Sequence, residues 1–237
     1  MSMYSLIEKM VQANSDIDLN LKFDEVIKIK KEFEQIAINN NVKMGPGVAG
    51  GSPCERDLLF WYLAARTFKP KRVLEIGSWI GTTTHVIAKA LYEIYGDDFS
   101  IVTCDYPTDV YIREHNYKHL SKNIFYNNMH SDNLVPQLIQ QNYKFDSIFS
   151  DAGLSDSNVN DFSSLIDFSN LLFLTHDVYV NKYSKGNDAI AKINSTYANL
   201  LTFKPDKEEG YIFNNINYPI NAVTGIVTTE KKYESTF

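Results

Sequence analysis

One short stretch of this chain has residue types and spacing that could bind a small polar ligand. Residues 72–82 read RVLEIGSWIGT, an apolar run interrupted by Glu75, Gly77 and Gly81, and a helical pattern follows. This predicts a buried strand, a tight turn and a helix N-terminus. Glycines at such a turn allow the backbone to approach a ligand, and the free N–H groups of the helix start favour polar or anionic groups. The alternative is a glycine-rich turn that binds nothing.

The spacing of this turn differs from that of dinucleotide-binding turns. It reads Glu-x-Gly-x-x-x-Gly, whereas dinucleotide binders carry Gly-x-Gly-x-x-Gly. Because the first glycine is missing, a pyrophosphate on this loop is disfavoured. The acid inside the turn, Glu75, instead suits a ligand that carries hydroxyl groups and a positive charge.

Polar residues also follow the other predicted strands. They are Asp105 after the second strand, His130, Ser131 and Asp132 after the third, Asp151 after the fourth, and His176 and Asp177 after the fifth. Ligands of doubly wound sheets bind outside the carboxyl ends of the strands, so these residues indicate a crevice lined with carboxylates. A strand-end aspartate also serves as a helix cap, which is the simpler interpretation of any single one.

Position suggests separate roles for these acids. Asp105 lies where an acid can accept both hydroxyls of a ribose. Asp151 and Asp177 fall on adjacent central strands in the usual strand order, so their oxygens could converge on one hard cation such as Mg²⁺. His176 lies beside them, although a histidine after a strand is more often a structural hydrogen-bonding residue than a metal ligand.

The elements that position these residues alternate strictly. Strands are predicted at 72–76, 99–104, 124–129, 145–150 and 170–175, and helices at 82–95, 109–121, 132–141, 158–168 and 187–199. This alternation predicts an α/β fold with a doubly wound, mostly parallel sheet and right-handed crossovers. Residues 200–203, 211–214 and 222–228 read as strands without helices between them, which predicts antiparallel C-terminal strands in a seven-stranded sheet.

The chain divides into an N-terminal helical segment, residues 1–51, and a main domain, residues 52–237. An amphipathic pattern over 23–38 predicts a helix. The glycine-rich stretch 45–51 is a hinge for a lid or a plain linker. Ser-Pro-Cys-Glu at 52–55 predicts the start of the next helix, with Ser as the N-cap and Glu as the capping-box acid.

Composition restricts the compartment and the partners. A chain of 237 residues suits one large α/β domain. The net charge of −6 argues against sequence-independent binding of nucleic acid. The two cysteines, Cys54 and Cys104, fit a reducing compartment. The first ten residues carry no signal-peptide pattern and no apolar run is long enough for a membrane span, so we predict a soluble, cytoplasmic protein.

With these motifs the chain resembles the class I S-adenosylmethionine-dependent methyltransferases over roughly residues 52–230. It is most similar to the metal-dependent O-methyltransferases of the catechol and caffeoyl-CoA type and to the sugar O-methyltransferases of macrolide biosynthesis. The matching segments are 73–83, Asp105, 131–138, 145–152 and 171–178.

The resemblance implies a Rossmann-like methyltransferase fold, S-adenosylmethionine as the cofactor and Mg²⁺ as the metal. The implied cofactor-binding residues are Glu75, Gly77, Ser78, Gly81 and Thr82 at the methionine part, Asp105 at the ribose, Ser131 and Asp132 at the adenine, and Asp151. The implied metal ligands are Asp151, His176 and Asp177. His176 and Asp151 are also the implied catalytic residues.

One departure from the resemblance bears on the chemistry. Relatives commonly carry a Lys or His three residues after the first metal aspartate, as a base or a substrate contact, and this chain has Leu154 there. A base could come from His176, His130 or the N-terminal segment. An acceptor such as a neutral amine, or a phenol acidified by the metal, needs no base.

The predicted function is an S-adenosylmethionine-dependent methyltransferase (EC 2.1.1.-) that O-methylates a small molecule with the help of a divalent metal. The alternatives are a metal-independent N-methyltransferase, a non-catalytic cofactor-binding module, which Leu154 favours, and a nicotinamide-dependent oxidoreductase. The absence of Gly-x-Gly-x-x-Gly argues against the last. The expected partner is a small-molecule acceptor, without nucleic acid or membrane, and residues 1–51 would cover the substrate or form a homodimer.

Overall fold

The computed structural model describes residues 2–40, 53–105, 117–178, 185–204, 212–213, 216–217 and 224–237. The described strands are β1 Arg72–Ile76, β2 Ser100–Cys104, β3 Ile124–Asn127, β4 Ser147–Ser150, β5 Leu172–Thr175, β6 Leu200–Phe203, β7 Ile212–Phe213, β8 Ile216–Asn217 and β9 Gly225–Thr229. Seven of them form one sheet in the order β3-β2-β1-β4-β5-β9-β6. The strands from β1 to β5 are parallel, and β9 pairs antiparallel with both β5 and β6. The predicted doubly wound sheet with antiparallel C-terminal strands is therefore confirmed.

Helices cover both faces of this sheet. The described helices are α1 Met3–Ala13, α2 Leu19–Asn39, α3 Glu55–Phe68, α4 Thr82–Tyr95, α5 Lys118–Ser121, α6 Ser131–Gln140, α7 Asp156–Leu165, α8 Lys185–Thr196 and α9 Glu230–Glu234, with a 3₁₀ turn at Phe168–Asn170. None of the helices in the described part of the chain is long and apolar enough to cross a membrane.

Alternate residues of each central strand enter two separate hydrophobic cores. In β1, Val73 packs among the side chains of α1 to α4, whereas Leu74 and Ile76 pack among those of α6, α7 and α8. Both faces of these strands are buried, which explains why they read as continuous apolar runs rather than as alternating patterns. The polar residues are consequently left at the strand ends.

The N-terminal helices share the first of these cores. Met10 of α1 and Phe33 of α2 are almost fully buried in the same cluster as Trp61 of α3. The pattern of α1 escaped the sequence analysis, although its apolar residues recur at helical spacing. The role of residues 1–51 as a lid or a dimer contact stays a prediction.

Several predicted boundaries differ from the observed ones. α3 begins at Glu55 with Cys54 as its N-cap residue, so the predicted capping box led by Ser52 is wrong. The strand expected at 211–214 forms a separate two-stranded sheet, β7 with β8, and does not join the main sheet. The glycine-rich stretch 45–51 and most of the helix expected at 109–121 lie outside the described residues.

Candidate active site

The turn between β1 and α4 has the backbone geometry of a ligand-binding loop. Gly77 and Gly81 have φ angles of 91° and 86°, values that glycine adopts without strain. Trp79 between them has a φ of 43°, which is uncommon for a residue with a side chain. A Cβ on Gly77 would lie 3.0 Å from the Cβ of Ala152, so this glycine lets the turn pack against the end of β4.

The start of α4 is open to a ligand. Gly81 is the N-cap residue, and no side chain caps the helix. Thr82 is buried, and its Oγ1 has no hydrogen-bond partner among the described residues. Ser78, also buried, precedes it in the turn. An uncapped helix start with an unpartnered buried hydroxyl can bind a polar group.

Glu75 lies at the base of the turn and is fully buried. Burial raises its pKa to about 8, against the hydrogen bond from Thr84 that lowers it, and the neighbouring carboxylates of Asp151 and Asp105 raise it further. The hydroxyl of Thr84 donates to Oε2 at 2.6 Å. Glu75 is therefore largely a neutral acid at pH 7.

Asp105 follows β2, next to the turn. Its carboxylate accepts a hydrogen bond from the backbone N–H of Trp79, so the turn and the end of β2 are held together. This contact places an acid beside the opening at the start of α4.

Ser131 and Asp132 begin α6 at the end of β3, and both bond to α7. The hydroxyl of Ser131 donates to Oδ1 of Asn158 at 2.8 Å, and that of Ser155 donates to Oδ1 of Asp132 at 2.5 Å. Ser131 is buried, whereas the side chain of Asp132 is 45% exposed. His130 is an exposed N-cap whose Nδ1 accepts from the N–H of Asp132. The predicted contact of Ser131 and Asp132 with an adenine stays a prediction.

Asp151, His176 and Asp177 come together because β4 and β5 are neighbours. The backbone N–H of His176 donates to the carbonyl of Ser150 at 3.0 Å, which continues the sheet ladder past the strand ends. Nδ1 of His176 lies 2.8 Å from Oδ1 of Asp151 and 3.6 Å from Oδ1 of Asp177. One ligand atom from each of the three residues lies within 4.8 Å of the others. The predicted convergence of the two strand ends is present.

The electrostatics of this cluster follow from its burial. Burial alone would lower the pKa of His176, but Asp151 and Asp57 raise it well above its usual range. Burial, together with the carboxylates of Asp177 and Asp57, raises the pKa of Asp151 although the facing imidazole lowers it. The pKa shifts of His176 and Asp151 favour a protonated imidazole that faces the carboxylates. A divalent cation that binds Nδ1 would have to displace the proton there.

Asp57 is a site residue that the sequence analysis missed. It lies in the first turn of α3 with no exposed surface, and its Oδ2 is 3.5 Å from Nε2 of His176. Trp61, one turn along α3, packs edge-on against the same imidazole, with ring centroids 5.1 Å apart. The available signal was an acid directly before the apolar run 58–65 of α3, since ionised residues are rarely buried without a partner.

Leu154 does not face this cluster. Its side chain is buried in the core formed with α7 and α8. The ammonium of Lys192 donates to its backbone carbonyl at 2.7 Å and also pairs with Asp156 and Asp188. Neither residue therefore supplies the base that relatives carry at this position.

The fold is similar to those of solved O-methyltransferases. TomG from Streptomyces achromogenes, an O-methyltransferase of tomaymycin synthesis in complex with S-adenosylmethionine, has a TM-score of 0.58 at 13% identity, over 85% of this chain and 89% of TomG. The O-methyltransferase from Bacillus cereus, in complex with S-adenosylhomocysteine, has a TM-score of 0.59 at 16% identity, over 86% and 91% of the two chains. A putative O-methyltransferase from Klebsiella pneumoniae has a TM-score of 0.56 at 14% identity, over 95% and 96%.

Sequence comparison adds no closer relative. No protein-family model matches this chain, and none of the curated proteins matches it. The likeness thus lies in the fold, which spans nearly the whole length of the solved chains. The resemblance predicted from the sequence is confirmed at that level: the chain has the fold of the class I S-adenosylmethionine-dependent O-methyltransferases.

Proposed function

We propose that this chain is an S-adenosylmethionine-dependent methyltransferase that O-methylates a small-molecule acceptor with the help of a divalent cation. The observation that carries the proposal is that an uncapped helix start and a carboxylate–imidazole cluster lie side by side at the carboxyl ends of the central strands. Gly77 of the turn lies against the backbone of Asp151 and Ala152. A cofactor in the turn would therefore place its reacting end beside the cluster.

The charges of the turn suit this cofactor. S-adenosylmethionine carries an ammonium, a sulfonium and two ribose hydroxyls, and the turn presents the carboxylate of Asp105 together with the unpartnered hydroxyl of Thr82. Gly77, Ser78, Gly81 and Thr82 would hold the methionine part, and Asp105 the ribose. Ser131, Asp132 and Asp151 would border the rest of the cofactor.

The donor set of the cluster fits a divalent cation. Two carboxylates suit Mg²⁺, and the imidazole of His176 extends the suitable ions to Mn²⁺ and Zn²⁺. Asp151, His176 and Asp177 would be the ligands. A bound cation would orient the acceptor hydroxyl and lower its pKa.

Proton removal would fall to residues of the cluster itself. Asp151 and His176 share a hydrogen bond of 2.8 Å, and both lie at the strand ends beside the turn. The acceptor oxygen must approach the sulfonium methyl in line, at about 3 Å, while it loses one proton. The second carboxylate oxygen of Asp151, which does not bond to His176, could accept this proton without a residue at the position of Leu154.

A second candidate is metal-independent methylation of an amine. The observation that favours it is the hydrogen bond between His176 and Asp151, which satisfies a carboxylate without a metal. The remaining carboxylate of Asp177 could then accept a hydrogen bond from a neutral acceptor amine, which keeps its lone pair for the methyl group. A non-catalytic module would bind the cofactor but transfer nothing, and an oxidoreductase would require a dinucleotide that this turn does not suit.

Calorimetry with S-adenosylhomocysteine tests the cofactor site. We expect binding by the wild type, and Asp105→Ala should weaken it by about 1–3 kcal/mol, the scale for a charged hydrogen-bond partner. Asp98→Ala is the matched control, because Asp98 lies just before β2, at its opposite end, and pairs with Lys71. Absence of binding by the wild type would overturn the proposed function.

Turnover with a panel of phenols, catechols, sugars and amines tests the metal. EDTA should abolish methyl transfer, and Mg²⁺ or Mn²⁺ should restore it. Asp151→Asn and Asp177→Asn should each lose activity while S-adenosylhomocysteine still binds. Full activity after chelation would reject the metal and leave amine methylation as the preferred chemistry.

We further propose a cytoplasmic setting for this reaction. Cys54 and Cys104 are free thiols, as expected in a reducing compartment. A homodimer, and the absence of nucleic-acid and membrane partners, stay predictions.

A further inference from the structure

The imidazole of His176 lies between two carboxylates that come from different parts of the fold. Its Nδ1 is 2.8 Å from Oδ1 of Asp151 at the end of β4, and its Nε2 is 3.5 Å from Oδ2 of Asp57 on α3. Among the described residues Nε2 forms no hydrogen bond. The carboxylate of Asp57 is thus the acceptor available to the second ring nitrogen.

The other contacts of Asp57 do not explain why an acid is buried there. The thiol of Cys54 donates to Oδ2 at 3.0 Å, and a thiol is a weak donor. Oδ1 has no hydrogen-bond partner among the described residues. The free N–H groups at the start of α3 favour an acid in its first turn, but a fully buried carboxylate also needs a charged or hydrogen-bonding partner.

α3 also fixes the plane of the imidazole. Trp61 lies four residues after Asp57, on the same face of the helix, and packs on His176 at an interplanar angle of 81°. One helix face therefore provides an aromatic wall and a carboxylate to the same ring. A role confined to capping α3 would not require this second contact.

We propose that Asp57 is a positioning residue, whose carboxylate accepts the Nε2 proton of His176 and keeps the Nδ1 edge turned toward Asp151 and Asp177. Histidines that bind metals commonly donate their other ring N–H to a carboxylate, which fixes the tautomer. The 3.5 Å separation is longer than a formed N–H···O bond, and contacts between catalytic groups commonly tighten when substrate binds. The inference rests on the proposed function, because it concerns His176 as a ligand.

Nitrogen-15 NMR of the histidine side chains tests the contact without any metal or cofactor. The His176 signal is assigned by its absence from His176→Gln. In the wild type Nε2 should carry a proton that exchanges slowly with water, and in Asp57→Asn this exchange should accelerate by about tenfold or more. Glu55→Gln is the matched control, since Glu55 lies in the same helix turn but pairs with Lys30.

Titration with Mn²⁺, followed by electron paramagnetic resonance, tests the consequence. Asp57→Asn should weaken Mn²⁺ binding by about 10–100-fold, the usual effect of removing such a partner, and Glu55→Gln should leave it unchanged. Binding of S-adenosylhomocysteine should be the same in both variants, which shows that they are folded.

The outcomes separate the inference from the proposed function. If the wild type binds no S-adenosylhomocysteine, the function is rejected, while the NMR comparison still decides the role of Asp57. If Asp57→Asn retains both the slow Nε2 exchange and the Mn²⁺ affinity of the wild type, Asp57 is a capping residue and the inference is wrong. If the wild type binds no Mn²⁺, unchanged exchange alone overturns the inference.

Discussion

Replacing Glu75 with Gln should remove a pH dependence from the stability of the protein. Glu75 is fully buried at the base of the β1–α4 turn, and its pKa of about 8 in the folded protein compares with an ordinary value of 4.5. Between these values the folded state binds one more proton than the unfolded state. The free energy of unfolding must therefore fall as the pH rises from about 4.5 through 8.

The magnitude follows from the size of the shift. Each pKa unit corresponds to about 1.4 kcal/mol, so a shift from 4.5 to about 8 costs the folded protein about 5 kcal/mol once Glu75 is fully ionised. Between pH 6 and pH 8 the loss is about 2 kcal/mol, because the folded carboxyl is then only half ionised. Glu75→Gln has a similar shape and no proton to lose, so it should show none of this loss.

The assay is urea unfolding at pH 6, 7 and 8, followed by tryptophan fluorescence. The difference in unfolding free energy between Glu75→Gln and the wild type should increase by about 2 kcal/mol over this range. Glu8→Gln, at an exposed position of α1, is the matched control and should follow the wild type within about 0.5 kcal/mol. If the unfolding free energies of wild type and Glu75→Gln have the same pH dependence, Glu75 is already ionised at pH 6 and the argument from burial fails.

Two further substitutions test the packing around the site and one interaction network behind it. Gly186→Ala should destabilise the protein by about 2–3 kcal/mol in thermal unfolding, because the added Cβ would lie 2.1 Å from the carbonyl oxygen of His176; an unchanged melting temperature would contradict this. Glu93→Gln should flatten the acid limb of the stability curve: burial would raise the pKa of Glu93, but Tyr62 and two lysines lower it to about 2. The stability that this depressed pKa contributes is complete above pH 4.5 and is lost as the pH falls toward 2. The free energy of unfolding, measured with urea, should therefore be about 1–3 kcal/mol lower in the variant at pH 7 and little changed at pH 2. A wild-type acid limb in Glu93→Gln would contradict the assignment.

The sheet and the cofactor turn could be predicted because local signals and the global fold agree there. β1 and α4 occupy the predicted ranges, 72–76 and 82–95, since Gly77 and Gly81 mark the turn between them. Alternation with helices predicts parallel strands, and the usual order of a doubly wound sheet supplies which of them are neighbours. The adjacency of Asp151 and Asp177 then follows from the order.

What could not be predicted depends on contacts between distant parts of the chain. The pairing of Asp57 with His176 joins a helix before the first strand to the end of the fifth, and no local pattern encodes that distance. The hairpin of β7 and β8 shows the same limit, because a strand pattern does not specify its partner. The sequence alone identified Leu154 as a departure from the resembling enzymes, but only the structure shows that its side chain is buried in the core.

The position of α3 explains how the N-terminal helices contribute to the candidate site. Phe60, Trp61 and Tyr62 are consecutive and all nearly fully buried, so α3 contacts neighbours around its whole circumference. On one side Tyr62 donates to Glu93 of α4, which also pairs with Lys22 of α2. On another side Trp61 packs against His176. Because packed interiors transmit displacements rather than absorb them, we expect α2 to support the orientation of His176 through α3.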